Sequence, residues 1–96
     1  MNGSGNIMKA GMKVTVLYFA SVKEQLGKAR EELELPAGVA TVEAVRAHLR
    51  ERGGVWAETL GESRRISAAV NEDMVAPGAR ISAGDEIAFF PPVTGG

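Results

Sequence analysis

Cysteine is absent from the chain. Structural disulfides, thiolate metal sites, a cysteine nucleophile and persulfide carriage on the protein's own thiol are therefore excluded, and any sulfur chemistry must run through another atom. Histidine is nearly as scarce. His48 alone cannot assemble an imidazole metal site, and it leaves a nucleophilic serine only one possible base, so neither a bound metal nor a self-contained hydrolase is expected. An excess of positive charge is missing too: 11 Lys and Arg stand against 12 Asp and Glu, a net charge of -1, which argues against a nucleic-acid partner. No apolar run approaches the roughly 20 residues that cross a bilayer, and no signal-like stretch opens the chain, so a cytoplasmic protein with no membrane partner is expected. At 96 residues there is room for one domain, and 45% apolar residues can fill one modest core.

What is present divides into a glycine-rich start, a patterned body and an unusual end. Residues 1–12 (MNGSGNIMKAGM) have no apolar period and read as a flexible leader or an artificial extension. From Lys13 to Phe19, β-branched and aromatic residues run without a breaker, as in a strand whose Val14, Val16 and Tyr18 face a core. Phe19, of opposite phase, points outward. Residues 21–26 predict a short helix with Ser21 as its cap, Val22 and Leu26 on one side, and Gly27 as its stop. Arg30 to Leu35 alternates Leu33 and Leu35 with Glu32 and Glu34 and ends at Pro36, as a half-exposed strand does.

Thr41 to Arg52 is the main predicted helix. Val42, Val45 and Leu49 make its apolar stripe, Thr41 its cap, and Arg50 and Arg52 its cationic last turn before Gly53-Gly54. His48 lies off that stripe as a solvated helical residue, and Arg64-Arg65 reads as a charged turn. Val55 to Leu60 adds a helical turn presenting Trp56 and Leu60 to the core. Arg65 to Val70 alternates as a strand, residues 71–73 turn, Met74-Val75 returns, and Glu86 to Phe90 closes the sheet. Strands and one long helix in this order predict an α+β domain of two layers over residues 13–90. Residues 91–96, PPVTGG, cannot continue a ladder and should project as a tail.

Diglycine at the end of a chain has a physical use: without Cβ atoms, the last residues can thread a channel too narrow for other side chains and deliver a carboxylate to a remote site. Twelve glycines also make a chance pair believable. The preceding residues tip the balance. Phe89-Phe90-Pro91-Pro92-Val93-Thr94-Gly95-Gly96 resembles the C-terminus of the small, sulfur-carrying subunits of molybdopterin synthase. Further matches are Ala68-Ala69-Val70-Asn71, Gly84-Asp85-Glu86, Thr41-Val42-Glu43 and Val16-Leu17-Tyr18-Phe19-Ala20 with the following Lys23-Glu24, so the similarity spans nearly everything from Met12 to Gly96.

The resemblance implies a ubiquitin-like β-grasp fold and a carrier that works through the Gly96 carboxylate. A ubiquitin-activating-like adenylyltransferase partner uses ATP to make the acyl adenylate, a persulfide enzyme supplies sulfur, and the product is a thiocarboxylate. The tail then enters the large subunit of the synthase, where sulfur passes to cyclic pyranopterin monophosphate. Gly95 gives passage, while Pro91, Pro92, Val93 and Thr94 supply reach. The chain by itself is no enzyme and binds no cofactor in this reading. Three alternatives stay open: a carrier for thiazole synthesis or tRNA thiolation, a ubiquitin-like modifier joined to target lysines, and an interaction domain with an inert tail.

Strand phase also outlines a docking face. Glu86, Ala88 and Phe90 share one side of the last strand, and an unpaired buried Glu is costly, so Phe90 belongs to the open side while Ile87 and Phe89 fill the core. Leu17, Phe19, Ala69, Met74, Ala88 and Phe90 all take the less core-like phase. If their strands are neighbours, they form one exposed apolar patch, and the resemblance assigns that patch to the large subunit.

Overall fold

The computed structural model describes residues 11–92; the rest of the expected leader, and Val93 to Gly96 of the expected tail, lie outside the described residues. Five strands and three helices follow in the order β1 (Met12–Tyr18), α1 (Ala20–Leu26), β2 (Arg30–Leu35), α2 (Val42–Arg50), α3 (Val55–Thr59), β3 (Ser67–Val70), β4 (Asp73–Val75) and β5 (Glu86–Phe90). The sheet order is β2-β1-β5-β3-β4. β1 and β5 run parallel, and the other neighbours are antiparallel. All three helical segments feed one side of this mixed sheet, which is the ubiquitin-like β-grasp arrangement.

Alternation decides that side. Val14, Val16 and Tyr18 of β1 and Ile87 and Phe89 of β5 are at most 1% exposed, and they meet Val42, Val45 and Leu49 from α2 in one cluster. Each such side chain contributes roughly 1.5–3 kcal/mol by leaving water. The start of α2 is closed by three separate acceptors: Ala44 N–H donates to Thr41 Oγ1 at 3.1 Å, Val42 N–H to the Ala79 carbonyl at 3.0 Å, and Glu43 N–H to the Pro77 carbonyl at 2.8 Å. Residues 77–81 are thereby tied to the helix, and Ile81, 5% exposed, joins the core. Among the described residues no helix is long and apolar enough to cross a membrane.

Several boundaries differ from the sequence reading for identifiable reasons. Ser21 does not cap α1. The capping position is Phe19, extended at φ -127° and ψ 155°, with no side-chain cap, because its N–H is still held by the Phe89 carbonyl of β5 at 3.1 Å. β3 starts at Ser67 rather than Arg65. Ser67 pairs with Phe90, the last residue of β5, and the prolines that follow have no N–H to extend the ladder. The turn expected over 71–73 is a two-residue loop: Asp73 already pairs with Val70, and Asn71 and Glu72 take φ 50° and 75°, as a hairpin of the I′ kind requires. Finally α2 stops at Arg50, so Arg52 is not part of its last turn.

Candidate docking face and tail root

On the side of the sheet away from the helices, the register aligns Arg30, Leu17, Ala88, Ala69 and Met74 across all five strands. The next rank toward the tail holds Phe19, Phe90 and Ser67, since Tyr18 pairs with Phe89 and Ser67 with Phe90. Phe19 is 47% and Met74 65% exposed, while Leu17, Ala88 and Phe90 are half-buried. Adjacent residues Phe89 and Phe90 thus serve opposite faces. One expectation is corrected: Ala69 has the open phase but is 7% exposed, because its small side chain lies between Ala88 and Met74. It shapes the floor of the patch and offers little surface of its own.

The opposite end of this face is anionic. Glu32 and Glu34 stand exposed on β2, with Lys13 3.9 Å from Glu32. Glu86 is half-buried at the start of β5, where Asn71 brackets it: Glu86 N–H donates to Asn71 Oδ1 at 3.0 Å, and Asn71 Nδ2 donates to Asp85 Oδ1 at 3.0 Å. Pro91 and Pro92 follow Phe90 directly and are half-buried. Val93, Thr94, Gly95 and Gly96 lie outside the described residues. His48, expected to be solvated, is half-buried beside a groove bounded by Met12, Leu35 and Pro36. No group of three or more His, Cys, Asp or Glu side chains placed to hold a metal ion occurs among the described residues.

Two polar constellations under the face went unread in the sequence. Glu31 shares the phase of Leu33 and Leu35, and a carboxylate in that position needs partners. Glu31 accepts three hydrogen bonds from two residues: Tyr18 Oη donates at 2.7 Å, and Arg52 donates from Nη1 at 2.9 Å and from Nη2 at 3.0 Å. The Arg52 guanidinium also lies 4.3 Å from the Trp56 ring centroid, and Trp56 meets Tyr18 edge-on at 5.6 Å. Burial pulls the Glu31 carboxyl up, but the hydrogen bonds from Arg52 and Tyr18 and the charges of Arg52 and Lys28 outweigh it and hold it below the usual range. Burial, then the Glu31 hydrogen bond, push the Tyr18 phenol well above its ordinary value.

The second constellation is Arg46. Its Nε donates to the Leu60 carbonyl at 2.8 Å, and its Nη2 donates to the Gly61 carbonyl and to the Arg64 carbonyl at 2.8 Å. Burial, with the nearby charge of Arg50, lowers its pKa from the usual arginine value. One guanidinium therefore fixes the segment leading into β3. Arg64 is no simple charged turn, since it donates to the Glu58 carbonyl at 3.1 Å as well as offering its own carbonyl to Arg46.

The chain belongs to the ThiS family, whose model matches residues 16–96. It is 42% identical over 83 residues to the molybdopterin synthase sulfur carrier subunit of Haemophilus influenzae, a match covering 86% of this chain and 99% of that protein. A solved structure from Pyrococcus furiosus, described as a candidate molybdopterin converting factor subunit 1, superposes with a TM-score of 0.69 at 31% identity over 85% of this chain and 99% of that one. The small archaeal modifier protein 1 of Haloferax volcanii gives a TM-score of 0.68 at 26% identity, covering 86% and 100%.

Proposed function

We propose that this chain is the sulfur carrier of a molybdopterin synthase, donating sulfur from a Gly96 thiocarboxylate during conversion of cyclic pyranopterin monophosphate to molybdopterin. The observation that carries this reading is the family match running to residue 96 in a chain whose β5 ends in an apolar open face and passes straight into Pro91-Pro92. Phe19, Leu17, Met74, Ala88 and Phe90 dock the large subunit of the synthase, and residues 91–96 reach its active site. The chain contributes a reacting group and a docking surface; the rest of the machinery belongs to its partners, in the cytoplasm.

The chemistry begins with a poor electrophile. A Gly96 carboxylate oxygen attacks the α-phosphorus of ATP held by the adenylylating partner, and pyrophosphate leaves. The terminal sulfur of a donor persulfide then attacks the carbonyl carbon and expels AMP. A thiol cleaves the remaining S–S bond to release the thiocarboxylate. Its sulfur attacks a side-chain carbon of the pterin substrate and the C–O bond at that carbon breaks, the oxygen leaving with the phosphate or as water. A water molecule then cleaves the C–S bond to Gly96 and restores the carboxylate. Gly96 must arrive at a fixed depth, so position along the tail matters more than packing.

The test is deletion of Gly96, or addition of one residue after it. Either change should abolish molybdopterin formation while leaving the urea midpoint unchanged, and intact mass should show the sulfur-for-oxygen gain only on the natural end. Normal product from either variant overturns the reading. The modifier reading draws on the likeness to the Haloferax protein. It predicts conjugates to target lysines that survive thiols and hydroxylamine.

A further inference from the structure

Because the chain has no thiol, its four methionines are its most readily oxidised side chains. Two of them, Met12 and Met74, lie among the described residues, and their surroundings differ. Met12 is half-buried and packs against the core cluster. Met74, on the edge strand β4, is 65% exposed, and its pairing with Ala69 puts it on the open side of the sheet.

The register sets what surrounds that thioether. Met74 pairs with Ala69 and Ala69 with Ala88, so two alanines separate it from Leu17. It is the one large side chain at the β4 end of its rank. Neither alanine side chain can donate a hydrogen bond, and Leu17, Phe19 and Phe90 have no heteroatom for a peroxide to oxidise. Met74 is thus the member of the face whose polarity can be changed in place.

We propose that Met74 is a peroxide-reactive modification site whose state sets the affinity of the carrier for the large subunit; the inference rests on the docking face described above. The sulfur lone pair attacks one oxygen of the peroxide, and the O–O bond breaks as the S–O bond forms. The second oxygen takes the proton of the first and leaves as water or alcohol, so sulfur is oxidised and the peroxide reduced. Water solvates the sulfoxide on the free carrier, which keeps its fold. Docking strips that water from a strong dipole for which the alanine floor has no donor, and affinity falls about tenfold. A thiol-dependent reductase reverses the change: two thiols become a disulfide, and the oxygen leaves as water.

The experiment uses the full-length carboxylate form, whose tail holds no sulfur. Wild type and Met74→Leu are exposed to dilute hydrogen peroxide, freed of it, mapped by peptide mass spectrometry and titrated with the large subunit of molybdopterin synthase. Met74 should gain its oxygen well before Met12, and wild type should then bind about tenfold more weakly with an unchanged thermal midpoint. The two methionine sulfoxide reductases, with a thiol, should restore binding. Met74→Leu should carry its own affinity through the treatment unaltered. The inference is overturned if oxidised Met74 leaves wild-type affinity intact, if Met12 is oxidised first, if the midpoint falls, or if treated Met74→Leu weakens as much as wild type. Untreated Phe90→Ala tests the face separately: wild-type binding by that variant removes the docking reading itself. Weak binding by it, with no effect of the sulfoxide, removes this inference alone.

Discussion

Glu31 and Arg52, on β2 and just beyond α2, meet in a two-pronged ion pair at 2.9 and 3.0 Å. The pair clamps the sheet to the turn after the main helix. The folded pKa of Glu31 lies below its ordinary 4.5, so its stabilisation is complete above that value and is lost as pH falls through the depressed one. Glu31→Gln should cost about 1–2 kcal/mol at neutral pH, the low end of charged hydrogen bonding because the Arg52 side chain is 33% exposed. Urea midpoints measured from about pH 7 down to pH 3 should fall less steeply for the variant than for wild type. Parallel curves would refute the clamp.

Tyr18 sets the opposite limb. Its folded pKa lies above the ordinary 10.0, so the unfolded chain releases the phenolic proton first and stability declines as pH rises past that value. The chain has one tyrosine, so phenolate absorbance reports this group alone. Ionisation should coincide with alkaline unfolding, and Tyr18→Phe should remove that share of the pH dependence. A tyrosinate signal that appears while the circular dichroism stays native would contradict it.

Phe89 and Phe90 test the assignment of faces. Phe89→Ala empties a site that is 1% exposed and should cost ~3–5 kcal/mol of stability. Phe90→Ala should cost the isolated fold much less, yet weaken binding to the large subunit by about tenfold or more. Paired urea midpoints and affinities decide: the reverse pattern inverts the faces.

Arg46 should behave as a structural clamp. Arg46→Ala leaves the carbonyls of Leu60, Gly61 and Arg64 without their donor and should cost about 2–3 kcal/mol. Arg46→Lys keeps the charge but not the fork, so it should recover less than half of the loss by urea denaturation. Full recovery by lysine would show that charge, not geometry, holds the segment.

Features with a local signature were legible in the sequence, and those built across strands were not. The phase of Val14, Val16 and Tyr18 follows from alternation alone, and Thr41 announces its cap by residue type and position. Ser21 misled because its hydroxyl suits a free helix start, whereas the chain there is still held extended by Phe89, a partner 70 residues away in the sequence. The open phase of Leu17, Phe19, Met74, Ala88 and Phe90 could be read strand by strand. The burial of Ala69 could not, because it depends on which side chains flank it in the assembled sheet. Arg46 left no trace at all, since backbone carbonyls as acceptors look the same in every sequence. Glu31 did leave one, a charge in phase with two leucines.

The parallel pairing of β1 with β5, from Thr15–Glu86 to Tyr18–Phe89, has a mechanical consequence. Tension applied between the two ends of the domain pulls these neighbouring strands past each other, loading their shared hydrogen bonds together rather than opening them one at a time. β5 is also braced by β3 on its other side. A tail hauled by its tip therefore tugs on a strand paired along both of its edges, and the domain resists as a block instead of unravelling from the end that is being pulled.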